Sequence, residues 1–143
     1  MAAIVYNRGK TRILAGDTPL DTSDLRVLII VTSKTGADNP DLDTVAELDA
    51  VGTVAIHTER VALAGEAVAQ DDANDRANAT ATSPVTFAPA AGVNGLASVV
   101  YDEGGGTDAT RHLISFDDTN WGAGKAMDGG LEINIPTQWL RGQ

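Results

Sequence analysis

A chain of 143 residues and 14.8 kDa has room for one domain, since dividing it would leave two cores too small to stand alone. Its 20 acids against 10 lysines and arginines give a formal net charge of −10, which repels a phosphate backbone and excludes nucleic acid as the natural partner. The absence of cysteine excludes disulfide scaffolds, thiolate zinc sites and cysteine nucleophiles.

The apolar fraction is 43%, but it contains only two each of Trp, Tyr and Phe and is rich in alanine and valine, so the core is expected to be thin. Thin cores gain stability by burying surface against a partner subunit, and oligomerisation is expected on that ground. The opening MAAIVYNRGK has no apolar run long enough for a secretion signal, and no stretch approaches the roughly 18 apolar residues of a membrane span. A soluble protein made in the cytoplasm, with no membrane partner, is expected.

In chain order, residues 3 to 15 place Ile4, Val5, Ile13 and Leu14 around a basic middle with Gly16 and Asp17 behind. This predicts a short amphipathic helix ended by glycine, with Gly9 as its weak point. Arg8, Lys10 and Arg12 put three of the chain's ten cations into that middle, as solvated charge or as a docking patch for an acidic partner. LRVLIIVT, residues 25 to 32, is a nearly unbroken β-branched and leucine run and predicts a strand buried on both faces. After the turn-rich SKTGADNP, the segment DLDTVAELDAVG spaces Val45 and Leu48 by three, with early acids and Gly52 at its end, and predicts one short helix.

From Thr53 to Ala69 the apolar spacing falls to two, with Val54 and Ile56 followed by Val61 and Leu63. Two half-buried strands, or one bent by a bulge near Gly65, fit that pattern. TSPVTF, LASVVY, RHLISF and LEINI follow as short β-type runs, separated by PAAGVNG, DEGGGTD and DDTNWGAGKAMDGG. These connections are too short and glycine-rich for crossover helices. The fold class is therefore read as mainly all-β: a single antiparallel β-sandwich, jelly-roll-like, over residues 1–143, with one or two short helices and residues 1–16 as a helix or N-terminal arm. Gly104 to Gly106 are expected to mark its most mobile loop.

The acid-rich stretch DDANDRA is tested first for chemistry. A calcium loop needs oxygen ligands at alternate positions. From Asp72 the alternation reads Asp72, Asn74, Arg76, and from Asp71 it reads Asp71, Ala73, Asp75, so both registers break. The stretch is read instead as a hydrogen-bonded corner of Asp71, Asp72, Asn74, Asp75 and Arg76, with Arg76 pairing an aspartate. No metal and no cofactor are expected. His57 and His112 fall in separate strand-like segments without a G-x-S-x-G elbow, and twenty acids single out no carboxylate pair. In GAGKA, residues 122 to 126, Thr119 stands where a phosphate loop needs its first glycine and Ala126 where it needs a hydroxyl. The chain is accordingly expected not to be an enzyme. Trp121 and Trp139 are either core packing or interface anchors.

Taken together, VYNRGKTRILAGD, the strand LRVLIIVTS, the corner DDANDRA, the stretch ASVVYDEGGGTDATRHLISFDD and the closing DGGLEINIPTQWLRG resemble, over nearly the whole chain, small virion structural proteins of tailed bacteriophages. The corner is the most specific of these stretches, and Phe87 stands where that family carries Trp or Phe. The sequence departs after Ala77, where NATATS replaces an acidic stretch. The resemblance implies a head decoration, or cement, protein: a sandwich or jelly-roll homotrimer on the outer capsid surface of the virion, with the major capsid protein as partner. Arg8, Lys10, Arg12, Trp121 and Trp139 are then the candidate capsid or subunit interface. A head–tail junction or tail protein, and a host-glycan-binding module using Trp121 and the Gly-rich loops, are the alternatives.

Overall fold

The computed structural model describes residues 3–73, 76–82, 84–134 and 140–142. In chain order its elements are β1 (Ala3–Val5), α1 (Asn7–Ala15), β2 (Leu25–Ile30), α2 (Val45–Asp49), β3 (Val61–Ala62), β4 (Ala67–Asp71), β5 (Arg76–Thr80) and β6 (Val85–Phe87). They continue with β7 (Asn94–Gly95), β8 (Ala97–Asp102), a 3-10 turn over Glu103–Gly105, β9 (His112–Asp117), β10 (Lys125–Ala126), β11 (Leu131–Ile133) and β12 (Leu140–Gly142). The chain is mainly β with a few short helices, and its strand pairs are antiparallel, as the sequence predicts. The strands sort into one five-stranded sheet in the order β1-β9-β8-β2-β3 and three small ladders, β10-β7, β11-β6 and β12-β5-β4.

The apolar run of β2, broken only by Arg26, exists because both faces of the large sheet are covered. Leu25, Val27 and Ile29 enter one core with Phe87, Met127, Leu131 and Trp121. Leu28 and Ile30 enter a second core with Val45, Leu48, Val99, Tyr101 and Phe116. The first core is closed by α1 and by residues of the small ladders, the second by the segment carrying α2. Thr44 caps α2, its hydroxyl accepting from Glu47 N at 3.3 Å, and the Glu47 carboxylate accepts from Asp43 N at 2.7 Å in return.

The helix expected over residues 3 to 15 starts only at Asn7. Residues 3–5 pair with Asp117 to Ser115 as an edge strand, because Ile4 packs toward the second core and Val5 toward the first, an alternation that requires extended backbone. Gly9, read as a weak point, is what seats α1. A Cβ there would lie 2.9 Å from Ile114 Cα, Ile114 O and Leu113 O, so the helix rests directly on the β9 backbone. It does so at a bulge, where Val100 pairs Ser115 but Tyr101 pairs Leu113 and Ile114 is the extra residue. Gly16 ends the helix at φ 79, its N–H reaching the carbonyls of Arg12 and Ile13.

One region departs from the sequence reading. Val54 and Ile56 form no strand, and Ile56 contributes a single bridge to Ile30. The two strands of that region come later, as β3 and β4 on either side of Gly65. The glycines at 104 to 106 have a packing reason: Gly104 N donates to Asp102 Oδ1 at 2.9 Å, and a Cβ on Gly105 would collide with Thr110.

Candidate functional site

The densest gathering of ionisable side chains lies where β8 turns into β9. Strand alternation sends Asp102 and Tyr101 to opposite faces of the large sheet, so two polar clusters form back to back. On the α1 side, Asp102 Oδ2 accepts from the Thr18 hydroxyl at 2.6 Å and from Arg12 Nη2 at 3.2 Å, while Arg12 Nε donates to the Thr18 hydroxyl at 3.0 Å. Thr18 is fully buried and Asp102 nearly so. This cluster latches the C-terminal end of α1 to the end of β8.

On the other side runs a ladder of three arginines and three carboxylates. Arg60 grips Asp108 with two hydrogen bonds of 2.5 and 2.9 Å. Arg111 bridges Asp108, at 2.8 Å, to the Glu103 carboxylate. Arg26 reaches Glu103 at 3.7 Å and Asp24 at 3.1 Å. The Arg60 guanidinium stands 5.6 Å from the centroid of the Tyr101 ring. The Tyr101 hydroxyl is buried in this ladder without a well-formed hydrogen bond, and burial, followed by the neighbouring Glu103, raises its pKa.

The charges settle what the ladder can do. Hydrogen bonds from Arg60, then Arg111, hold Asp108 down to about 2. Burial works to raise Asp102, but hydrogen bonds from Thr18, Gly104 N–H and Arg12 outweigh it and leave its pKa lowered. Burial likewise opposes Arg111 at Glu103, and the arginine prevails. Carboxylates fixed in the charged state beside arginines hold no proton to give near neutral pH, and guanidinium cannot take one. The arrangement braces the β8–β9 end and ties it to β2 and to residue 60.

This fixes a pH dependence. Folded Asp108, Asp102 and Glu103 have pKa values below the roughly 4 of an unfolded carboxylate, so their contribution is complete above about pH 4 and lost as pH falls toward the folded values, near 2 for Asp108. His112 has the same sign, because burial, then Arg12 and Arg8, lower its pKa and the folded state resists the proton that the unfolded chain takes up below about 6.5. Urea midpoints are expected to decline gently below about pH 6.5 and steeply between about pH 4 and 2, with Asp108→Asn flattening part of the steep limb. Midpoints flat from pH 7 to 3 would contradict the brace.

The structure separates the residues singled out in the sequence. Arg8 and Lys10 are exposed on the outer side of α1, but Arg12 turns inward to Asp102 and is corrected from a surface contact to an internal latch. Trp121 is only 5% exposed and lies in the first core, close enough that a Cβ on Gly95 would be 2.8 Å from its ring. As a surface anchor it is therefore also corrected, and Lys125 covers its remaining side at 5.4 Å from the ring centroid. Trp139 lies outside the described residues. The β4–β5 hairpin has the register Asp71↔Arg76, with Asp72 exposed and accepting from Gln70 Nε2. Asn74, Asp75 and the side chains of Asp71 and Arg76 lie outside the described residues. His57 sits off any strand, 4.0 Å from the Glu59 carboxylate.

The ladder itself went unread in the sequence. Glu103, Asp108 and Arg111 share one loop, a spacing that could have suggested local pairing, but Arg26 arrives from β2 and Arg60 from just before β3. Among the described residues no three His, Asp or Glu side chains gather as a metal site would need, and no helix is long and apolar enough to cross a membrane. Comparison with protein-family models, with curated proteins and with solved structures finds no match to this chain.

Proposed function

We propose that this chain is a bacteriophage head decoration protein, a non-enzymatic cement that binds the outer capsid surface as a homotrimer, bridges major capsid subunits and stabilises the shell. The observation that carries the reading is the braced β8–β9 end: the largest cluster of ionisable groups is spent on mutual pairing that stiffens the body. A cement protein requires rigidity and many modest contacts repeated over a lattice, where avidity replaces affinity at any single site. The whole-chain resemblance to small virion proteins of tailed phages and the acidic surface point the same way. In this reading the large sheet and the ladders laid on it are the two layers of a jelly-roll-like sandwich, and the protein resides on the virion.

The test is co-sedimentation with capsids purified without the protein. Saturable pelleting and a raised melting temperature of the shell are expected. A supernatant that keeps all of the protein, or binding to isolated tails alone, discards the proposal. Deleting residues 1–12 is a poor probe of the contact, because it removes β1 and the Gly9 seat along with the cations.

A further inference from the structure

Among the described residues two large hydrophobic side chains stand in solvent, Leu14 at 88% and Val68 at 50% exposure. Their charge settings are opposite. Helix α1 carries Arg8, Lys10 and Arg12 and no acid, in a chain with twice as many acids as lysines and arginines. Leu14 follows Lys10 by four and Thr11 by three, so these exposed residues share the face turned away from Gly9 and Ile13. Val68 lies on β4 with Glu66 two residues before it and Asp72 beyond the end of the strand, and no lysine or arginine occurs from Val61 to Asp75.

We infer that α1 of one copy docks on β4 of a second copy, Leu14 covering Val68, Lys10 facing the Glu66 and Asp72 carboxylates from the same helix face and Arg8 reaching them from the helix flank. Like-with-like contacts are disfavoured by charge. Two α1 faces bring cations together, and two β4 patches bring the Glu66 and Asp72 carboxylates together. In a homotrimer this contact is heterologous and repeats around a closed ring. Two further features support it. Val68 is the cross-strand partner of Ala79, which belongs to the first core, so covering Val68 extends a core already present. The inner side of α1 is fixed by the Gly9 seat and the Arg12–Asp102 latch, so its outer side is presented with little ordering left to do on binding.

The inference deepens the homotrimer part of the proposed function by naming its contact surfaces. Mass photometry of the full chain tests it, together with Leu14→Asp, the pair Arg8→Glu/Lys10→Glu, the pair Glu66→Lys/Asp72→Lys, and all four charge swaps combined. A closed ring is expected for the parent chain, three copies matching the trimer. Leu14→Asp and each charge pair should weaken assembly at least about tenfold while circular dichroism shows the variant still folded. The fourfold swap should restore the ring. A monomeric parent chain, or rings that survive all three disruptive variants, overturns the inference. Should a variant fail to fold, Leu14→Ala and Val68→Thr give the same reading with smaller perturbation. Capsid pelleting of the parent chain, run in parallel, keeps the questions apart: rings that break as expected without pelleting sink the capsid reading alone, and pelleting with indifferent rings sinks the α1–β4 contact alone.

Discussion

Asp102→Ala is expected to destabilise the fold by about 3–5 kcal/mol, the cost of breaking a buried ion pair by removing one partner. The substitution removes the acceptor for three groups at once: the buried Thr18 hydroxyl, the Arg12 guanidinium and the Gly104 N–H. Two of the three are poorly placed to recover water. Thr18 is fully buried and the Arg12 side chain is 20% exposed. Against a typical total stability of about 5–15 kcal/mol, such a loss would leave a marginal protein. Urea unfolding at pH 7 checks it, with hydrogen exchange reporting whether α1 loses protection first. A loss under about 1 kcal/mol would mean that the latch is solvated and does not hold the helix.

Phe87→Ala is expected to cost about 3–5 kcal/mol through lost burial and the cavity left behind. Phe87 is fully buried, pairs with Leu131 across the β6–β11 ladder and joins the first core with Leu25 and Ile29. The variant therefore asks whether the small ladders form one layer with the large sheet. If they do, hydrogen exchange in β2 and β8 speeds up together with that in β6 and β11. Loss of protection confined to β6 and β11, with the large sheet unchanged, would show the ladders to be separate appendages.

How much of this could be read from the sequence depended on whether the deciding contact was local. The run Leu25 to Ile30 announces a doubly buried strand because every side chain in it except Arg26 is apolar, whichever face it takes. Val45 and Leu48 announce α2 through a spacing contained within one turn, although the helix stops at Asp49, before Gly52. The start of α1 was misread because Ile4 and Val5 fit a helical face as well as they fit β1, and only the pairing with β9 decides between the two. β5 was missed because RANAT carries turn-forming residues and takes its strand geometry from β4 and β12 on either side. The two-residue partners β7 and β10 are too short for any periodicity.

The site divides along the same line. That Arg8, Lys10 and Arg12 form a basic cluster is plain from their spacing, but only the fold turns Arg12 toward Asp102, ninety positions away, and leaves Leu14 outside. Trp121 reads from the sequence as either core packing or an interface anchor, and the structure places it in the first core, where Gly95 is bare so that the ring can lie against the backbone. The three-arginine ladder depends on β2, β3 and the β8–β9 turn meeting at one end of the sheet, which no local spacing encodes.

An electron-microscopy reconstruction of the parent virion, compared with one assembled without this chain, bears most directly on the proposed function. Difference density on the outer face of the head, in groups of three that fit the five-stranded sheet with its covering ladders, is the predicted result. Difference density confined to the neck or tail, or heads identical with and without the chain, would contradict it.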